Sequence, residues 1–449
     1  MTPSLTLAQA SRFWWQLGWV SFGGPAGQIA LLHRELVERR RWLSERRYLH
    51  ALNYCMLLPG PEAMQLATYL GWLLHGVPGG LIAGGLFVLP SVLVLTALST
   101  AYALWGQVPV LAAVFAVLKP AVLAIVVVAA WRLGRRVLRT PLQVLLAIKA
   151  FLGLAWLGLP YPVVVGLAAL VGWAAGKWRP GLMALPMAHG SGGAASTADA
   201  ADQPALHGDA TPTPDHARFS PRRLALTLLI WALALLLPLA VLVVWGGWDG
   251  PLALMARFFT RVALLSFGGA YAVLPYVAQG AVEQFGWLSA GQMLDGLALG
   301  ETTPGPLIMV VAFVGFMGGW HSNLLGGPGN WWAAVAATLV TVWFTFLPSF
   351  GFILAGGPLV ERSRDDLRIG APLAGITAAL VGVIASLAVF FAKPVLFGSG
   401  PAPLLPWLVL ALSLLALLRW RWGVLQLIGA AVVLGVTRQL LMSGIAAVG

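Results

Sequence analysis

Charge is scarce in this sequence: only 9% of its 449 residues are Asp, Glu, Lys or Arg, against roughly 25% in soluble domains. That excludes an ordinary solvated globular fold. A single cysteine, Cys55, excludes an intramolecular disulfide and any cysteine-based metal cluster. Short segments of alternating polarity are missing, and a transmembrane β-barrel with them. There is no Rossmann glycine fingerprint and no thiol pair, which argues against a reductase. His, Asp and Glu form no group with metal-ligand spacing, so neither a metal nor a cofactor is expected. The start, MTPSLTLAQASRFWW, lacks a basic stretch before a cleavable apolar core, so no signal peptide is expected.

What is present is apolar. Hydrophobic residues make up 59% of the chain, and the mean hydropathy is +0.86. Many apolar runs are long enough to cross a hydrocarbon layer of roughly 30 Å as helix. The expected fold class is an all-α polytopic membrane protein. The formal net charge of +12 resembles that of a nucleic-acid binder. Its basic residues, however, fall in short loops between apolar runs, the positive-inside pattern. The expected partner is the bilayer, not nucleic acid.

One stretch differs in kind. Residues 179–222, including GSGGAASTADAADQPALHGDATPTPDHA, are small, polar and without periodicity, and read as a disordered linker. His189, His207 and His216 fall in it at irregular spacing, a poor basis for a metal site. The flanking halves repeat. Ser21-Phe22-Gly23-Gly24 recurs as Ser266-Phe267-Gly268-Gly269, 245 residues on. Trp42-Leu43-Ser44 recurs as Trp287-Leu288-Ser289, Pro59-Gly60-Pro61 as Pro304-Gly305-Pro306, and Arg12-Phe13 as Arg257-Phe258, all in the same register. Leu89-Pro90-Ser91 recurs as Leu347-Pro348-Ser349 after a short insertion. The expected organisation is a first repeat over 1–178, the linker 179–222, an extra span over 223–248 and a second repeat over 249–449. Six apolar segments per half plus one odd span turn the second half upside down, an inverted repeat typical of secondary transporters.

Each half breaks its own helices, at SFGG and again at PGP. Residues 47–58 and 62–75 reach only about 20 Å each at 1.5 Å per residue, short of a full crossing. Proline ends the first half-helix near Leu58 and suits the first turn of the next. If the first two segments of each half are re-entrant pairs, the basic cluster Arg34–Arg47 moves inside with the clusters at Arg132–Arg139, Arg179, Arg222/Arg223, Arg362–Arg368 and Arg419/Arg421. Each break also leaves a helix N-terminus with unpaired N–H groups and partial positive charge near mid-membrane. Glycine lets an anion approach that backbone. Such irregular backbone is tolerated only where it lines a protein or water-filled cavity. The breaks therefore point to a binding site for a small anion.

The motifs FGGPAGQIALLHRE…RRWLSE, LLPGPEAMQLATYLGW and FVLPS resemble the chromate ion transporter family, in its long-chain, two-domain form. The resemblance covers nearly the whole chain outside the linker. It implies a multi-pass transporter of the bacterial inner membrane that exports chromate and confers chromate resistance, driven by the proton motive force. It does not imply an enzyme. Ala270 stands where Pro25 does, which weakens the helix-start argument in the second half.

The candidate substrate-binding residues are Arg12, Phe22, Gly23, Gly24, Gly60, Gln65, Lys119, Arg257, Gly268, Gly269, Thr303 and Gly305. Arg12 and Arg257 offer planar donors suited to a tetrahedral oxyanion, or else anchor at the interface by snorkelling. Lys119, near the centre of its segment, can neutralise a dianion; its repeat equivalent is Thr377. Intramembrane carboxylates are functional candidates by default, and Glu62 and Glu301 beside the PGP motifs are the proton-coupling candidates. Glu62, Gln65 and Tyr69 share one helical face. Thr302 and Thr303 either donate to substrate or cap. A sulfate transporter or exchanger is the main alternative, and a lipid-phosphate enzyme a weaker one. The partners expected are chromate (or sulfate) and protons, with a homodimer left open.

Overall fold

Thr6 closes a capping box with Gln9 and starts α1 (Leu7–Val20). The computed structural model describes residues 5–178, 205–208, 211–212, 214–362, 370–398 and 404–448. His189, Arg179, Arg364 and Arg368 lie outside the described residues. After α1 come α2 (Gly24–His33), continued as a π-helix over Arg34–Arg39, and α3 (Glu45–Leu57). Next are α4 (Glu62–Trp105), α5 (Pro109–Val137), α6 (Pro141–Ala155) and α7 (Tyr161–Trp178). Then α8 (Pro221–Gly246) stands alone.

The order then recurs. α9 (Pro251–Leu264), α10 (Ala270–Ala278) with a π-helix over Gln279–Gln284, and α11 (Ala290–Thr302) match the opening three helices in kind. α12 (Val310–His321) and α13 (Trp331–Arg362) match the two arms of α4. α14 (Gly370–Leu396), α15 (Leu404–Leu418) and α16 (Val424–Val448) complete the set. Among the described residues there is no strand, only an isolated bridge between Leu43 and His207. Among the described residues, seven helices, α4, α5, α7, α8, α13, α14 and α16, are long and apolar enough to cross a bilayer. The chain is an all-α polytopic membrane protein.

The opening helices of each half are short: 14 residues in α1 and α9, and 13 in α3 and α11. Helices of that length reach about 20 Å. α4 is itself two helices, because His75 and Gly76 leave helical geometry. Its arms fold back on each other closely enough that a Cβ on Gly84 would strike Thr68, and one on Gly79 would strike the Gly71 carbonyl. The second half builds the same hairpin from α12 and α13, where Gly315 lies against Thr341 and Gly319 against Ala333.

The two halves interlock. α14 of the second half packs against α6, α7 and α5 of the first, while α5 packs against α15 and α16. Gly172 and Gly375 touch backbone to backbone, as do Gly382 and Ala147. One apolar core runs through both halves, with Phe87, Phe313, Phe344 and Leu380 fully buried in it. α8 has no buried residue; it lies on the outside of α13, where the Trp231 indole donates to the Leu347 carbonyl (3.2 Å).

Part of the polar linker is bound, which departs from the expectation of disorder. Leu206 and His207 donate backbone bonds to the carbonyls of Arg41 and Trp42, and Ser44 donates to His207. Arg47 donates to the Thr211 carbonyl, and the His216 Nε2 sits 2.9 Å from the Trp72 carbonyl. The His75 Nε2 lies 2.9 Å from the Leu5 carbonyl. The start of α1, the loop 40–44, the bend at 75–76 and the bound linker therefore share one end of the molecule. At the opposite end of the long arm of α4, the Trp331 indole donates to the Thr100 hydroxyl (3.0 Å). The α12–α13 connection lies there, and His321 at its start is 3.0 Å from the Trp287 carbonyl.

Candidate functional site

The four helix breaks meet in two pairs, each joining one half to the other. Local rules explain each break: Ser21 ends α1, and left-handed Gly23 leads into α2 with Pro25 in its first turn. Leu58 leaves α3 in extended geometry, as a residue before proline should. Gly60 at φ +131° and Gly305 at φ +104° then turn the chain in a way an L side chain resists.

The breaks bind each other across the halves. The Gly60 N–H donates to the Ser266 carbonyl (2.8 Å), and the Gly305 N–H donates to the Ser21 carbonyl (2.8 Å). The PGP turn of each half is thus held by the SFGG turn of the other. The LPS serines follow the same rule. Ser91 donates to the Pro304 carbonyl, and Ser349 lies 3.3 Å from the Gln65 amide nitrogen. A Cβ on Gly305 would collide with Ser91, and one on Gly60 with Ser349 and Gln65. Such reciprocity, residue for residue, is what a two-fold relation between two copies of one patch produces.

Two carboxamides stitch this centre, both from the first half. Gln65 donates to the Pro59 carbonyl (2.7 Å). Gln28 donates to the Ser21 carbonyl (3.1 Å) and to that of Gly305. The Oε1 atom of each is buried without a hydrogen-bond partner. A buried amide oxygen left unpaired costs about 1–3 kcal/mol. Their repeat equivalents are Val273 and Val310, so the centre is symmetric in backbone and asymmetric in side chains.

Around the centre, the Gly24 and Gly269 backbones face open space, since a Cβ there would meet nothing within 4 Å. Phe22 is exposed, whereas Gly268 lies against Leu380. The Thr303 hydroxyl donates to the Gly300 carbonyl (3.0 Å) and so caps its own helix. Glu301 accepts from the Tyr271 hydroxyl. Glu62 opens α4 within electrostatic reach of Arg136. Farther along that face, buried Tyr69 donates to Glu361 on α13 (2.6 Å).

Arg12 and Arg257 are not brought to the centre. The buried stripe of α1 is Ala10, Phe13, Trp14, Leu17 and Gly18. Arg12 lies off it and is exposed. Arg257 donates to the Trp248 carbonyl (2.7 Å) and stacks over the Trp248 ring at 4.2 Å. Its long side chain reaches back from the middle of α9 to anchor the α8–α9 connection.

Lys119 has a partner that the repeats did not point to. Its Nζ lies 3.3 Å from Oδ2 of Asp295 on α11. The Tyr102 hydroxyl donates to the same oxygen (2.8 Å). The signal was an acid inside the apolar stretch LDGLALG; it carries no motif, and its partner is 176 residues away.

Known proteins are similar in sequence to both halves of the chain. The family model for chromate transporters matches residues 8–173 and 253–436, which are the two repeats without the linker. A chromate transport protein of Pseudomonas aeruginosa is 31% identical over 397 residues, 87% of this chain and 82% of its own length. A chromate transport protein of Cupriavidus metallidurans is 29% identical over 401 residues, covering 87% and 84%. A probable chromate transport protein of Synechococcus elongatus is 28% identical over 393 residues, covering 87% and 86%. No solved structure matches the chain. With both repeats matched and the broken helices interlocked between them, the chain belongs to the chromate transporter family, whose members are transporters and not enzymes.

Proposed function

We propose that this protein exports chromate across the bacterial inner membrane by alternating access, with the anion passing through the centre where the four breaks meet. The observation that carries this reading is the reciprocal pair of bonds from Gly60 to Ser266 and from Gly305 to Ser21. It joins four polar backbone turns inside an otherwise apolar bundle. Such backbone is retained in a membrane where it serves a substrate path.

Two repeats of opposite orientation, with re-entrant opening helices, fit the contacts. The loop 40–44 touches the linker at one end of the molecule, and its counterpart at Trp287 meets His321 near the other. The linker end is the cytoplasmic one by the positive-inside pattern, with Lys177, Arg222 and Arg223 flanking it. Gly24 and Gly269, with room beside them, are the backbone positions proposed to receive the oxyanion. The membrane potential supplies the drive, since each negative charge moved outward gains roughly 2.3 kcal/mol per 100 mV.

Purified protein in vesicles tests this. Chromate should leave the cytoplasmic-side compartment faster when that compartment is made negative, and sulfate should compete. No chromate flux under any imposed gradient, with sulfate flux intact, would replace chromate by sulfate as substrate. No flux of either would end the transport reading.

A further inference from the structure

The ion pair between Lys119 and Asp295 joins α5 of the first half to α11 of the second, in the opening turns of α11, where Gly291 lies against the Lys119 ammonium. Its two partners are not equivalent. Asp295 is enclosed, with a 3% exposed side chain, whereas Lys119 is 32% exposed. Oδ2 of Asp295 receives both Lys119 and the Tyr102 hydroxyl, while Oδ1 is buried without a partner. A pair kept only for stability would have both charges enclosed and both oxygens bonded, because a buried charge repays its desolvation only with complete hydrogen bonding. Here the cation has an open side and the anion has a spare oxygen. The repeat equivalents are Thr377 and His50, so the arrangement occurs on one side of the two-fold relation alone.

Among the described residues, the surroundings of Asp295 add no second cation. Tyr102 from α4 and Lys119 from α5 are the groups that act on it. Glu301, farther along the same helix, is bound by Tyr271 of α10, on which Arg132 of α5 also acts. His321 on α12 is held at the Trp287 carbonyl, Lys393 on α14 is exposed, and Arg438 on α16 is partly exposed. Lys119 is therefore the charge on which Asp295 depends.

Resting on the transport reading above, we propose that the transported dianion and the Asp295 carboxylate compete for Lys119, and that the displaced carboxylate takes up one proton. Before the step, the ammonium faces the carboxylate. After it, the ammonium faces the dianion and Asp295 is a neutral acid. One dianion and one proton enter, and the net charge of minus one is the same on both sides of the exchange. Tyr102 continues to donate to Oδ2, so the proton sits on Oδ1, the oxygen that has no partner. Loss of Lys119, the one cation acting on Asp295 among the described residues, and arrival of two negative charges both favour the protonated acid. One proton then travels with each dianion, one net negative charge crosses, and the inside-negative potential drives it outward while an alkaline interior opposes it.

Calorimetry of chromate binding to the full-length protein, in buffers of different ionisation enthalpy, counts the protons. The wild type should take up about one proton per chromate near neutral pH and bind about tenfold tighter for each unit of pH lowered, the one-proton limit of linkage. Asp295→Asn should take up none and lose that pH dependence while still binding. Lys119→Gln should weaken binding. Normal proton uptake in Asp295→Asn, or none in the wild type, would overturn the proposal. Should Asp295→Asn not fold, infrared difference spectra of the wild type decide: a protonated carboxyl band must appear on adding chromate and shift in Asp295→Glu. Failure of chromate to bind or move at all would instead fault the transport reading, while flux with intact coupling in Asp295→Asn would fault this inference alone.

Discussion

The amide of Gly60 and the carbonyl of Ser266 meet at 2.8 Å although 206 positions separate them in the chain. Because Gly305 and Ser21 repeat the contact, a side chain at either PGP glycine meets the opposite half. Gly305→Ala would drive its Cβ into Ser91. Overpacking of this kind costs about 1–3 kcal/mol, here added to the strain of a positive φ. The variant should show a lowered unfolding temperature in detergent. Adding Ser91→Gly removes the obstructing hydroxyl and should restore part of the loss. Equal stability of the single and double variants would show that the contact is not limiting.

The SFGG glycines predict a different phenotype. Gly24 has room for a side chain but sits at φ +69°, so Gly24→Ala costs about 1 kcal/mol of backbone strain and leaves the packing intact. Gly24→Val should lose chromate binding while the protein still inserts and folds. Gly85→Ala, also in open space but helical, is the matched control and should bind normally. Gly84 is unsuitable, since a Cβ there would strike Thr68. Wild-type affinity in Gly24→Val would remove the SFGG turn from the substrate path.

Orientation is open to labelling. Cys55 is fully buried and is best replaced by serine. In that background, Arg46→Cys and Leu325→Cys place thiols at exposed positions in the two corresponding corners. With inverted, re-entrant halves they should react with an impermeant maleimide from opposite sides, Arg46→Cys from the cytoplasmic side. Labelling of both from one side would contradict the inversion.

The bound linker should respond to pH. Burial pushes His207 below its ordinary value of 6.5, helped by the charge of Arg47 on α3, by His216 and by His75 on α4. The bound form therefore favours neutral histidine, while a released linker takes up protons near 6.5. Attachment is at full strength above that pH and weakens as pH falls through it. Hydrogen exchange at the Leu206 and His207 amides, corrected for intrinsic rates, should be slow at about pH 8 and markedly faster at about pH 5.5. His207→Ala should flatten that difference, and undiminished protection in acid would refute it.

What was legible in the sequence was what local chemistry controls. Glycine marks all four breaks and proline three of them, because their backbone limits act without any neighbour. The two π-helices start at Arg34 and Gln279, 245 residues apart like the motifs, so the repeat register holds at the level of backbone. What was not legible depends on distant packing. Lys119 stood out as a charge in an apolar run, but nothing near it in the chain announces Asp295. Arg12 and Arg257 are equivalent by position, yet helix phase turns Arg12 away from the core and Trp248 captures Arg257. The phase argument was available: Ala10, Phe13, Trp14 and Leu17 already define the inward stripe of α1.

The clasp of α14 by α6 and α7, and of α5 by α15 and α16, has a consequence for how the chain is made. Synthesis delivers α5, α6 and α7 to the membrane well before the helices that cover them exist. During that interval Lys119 lacks Asp295, and the Ser21 carbonyl lacks the Gly305 amide. The first half can form its own contacts, such as α1 against α4 and the α4 hairpin, but α5, α6 and α7 must wait for the helices that cover them, and long-range closure of this kind is slow. Truncation before α15 would leave α5 without the helices that close over it. Biogenesis of this protein is therefore governed by its last quarter, which supplies the helices that close over α5.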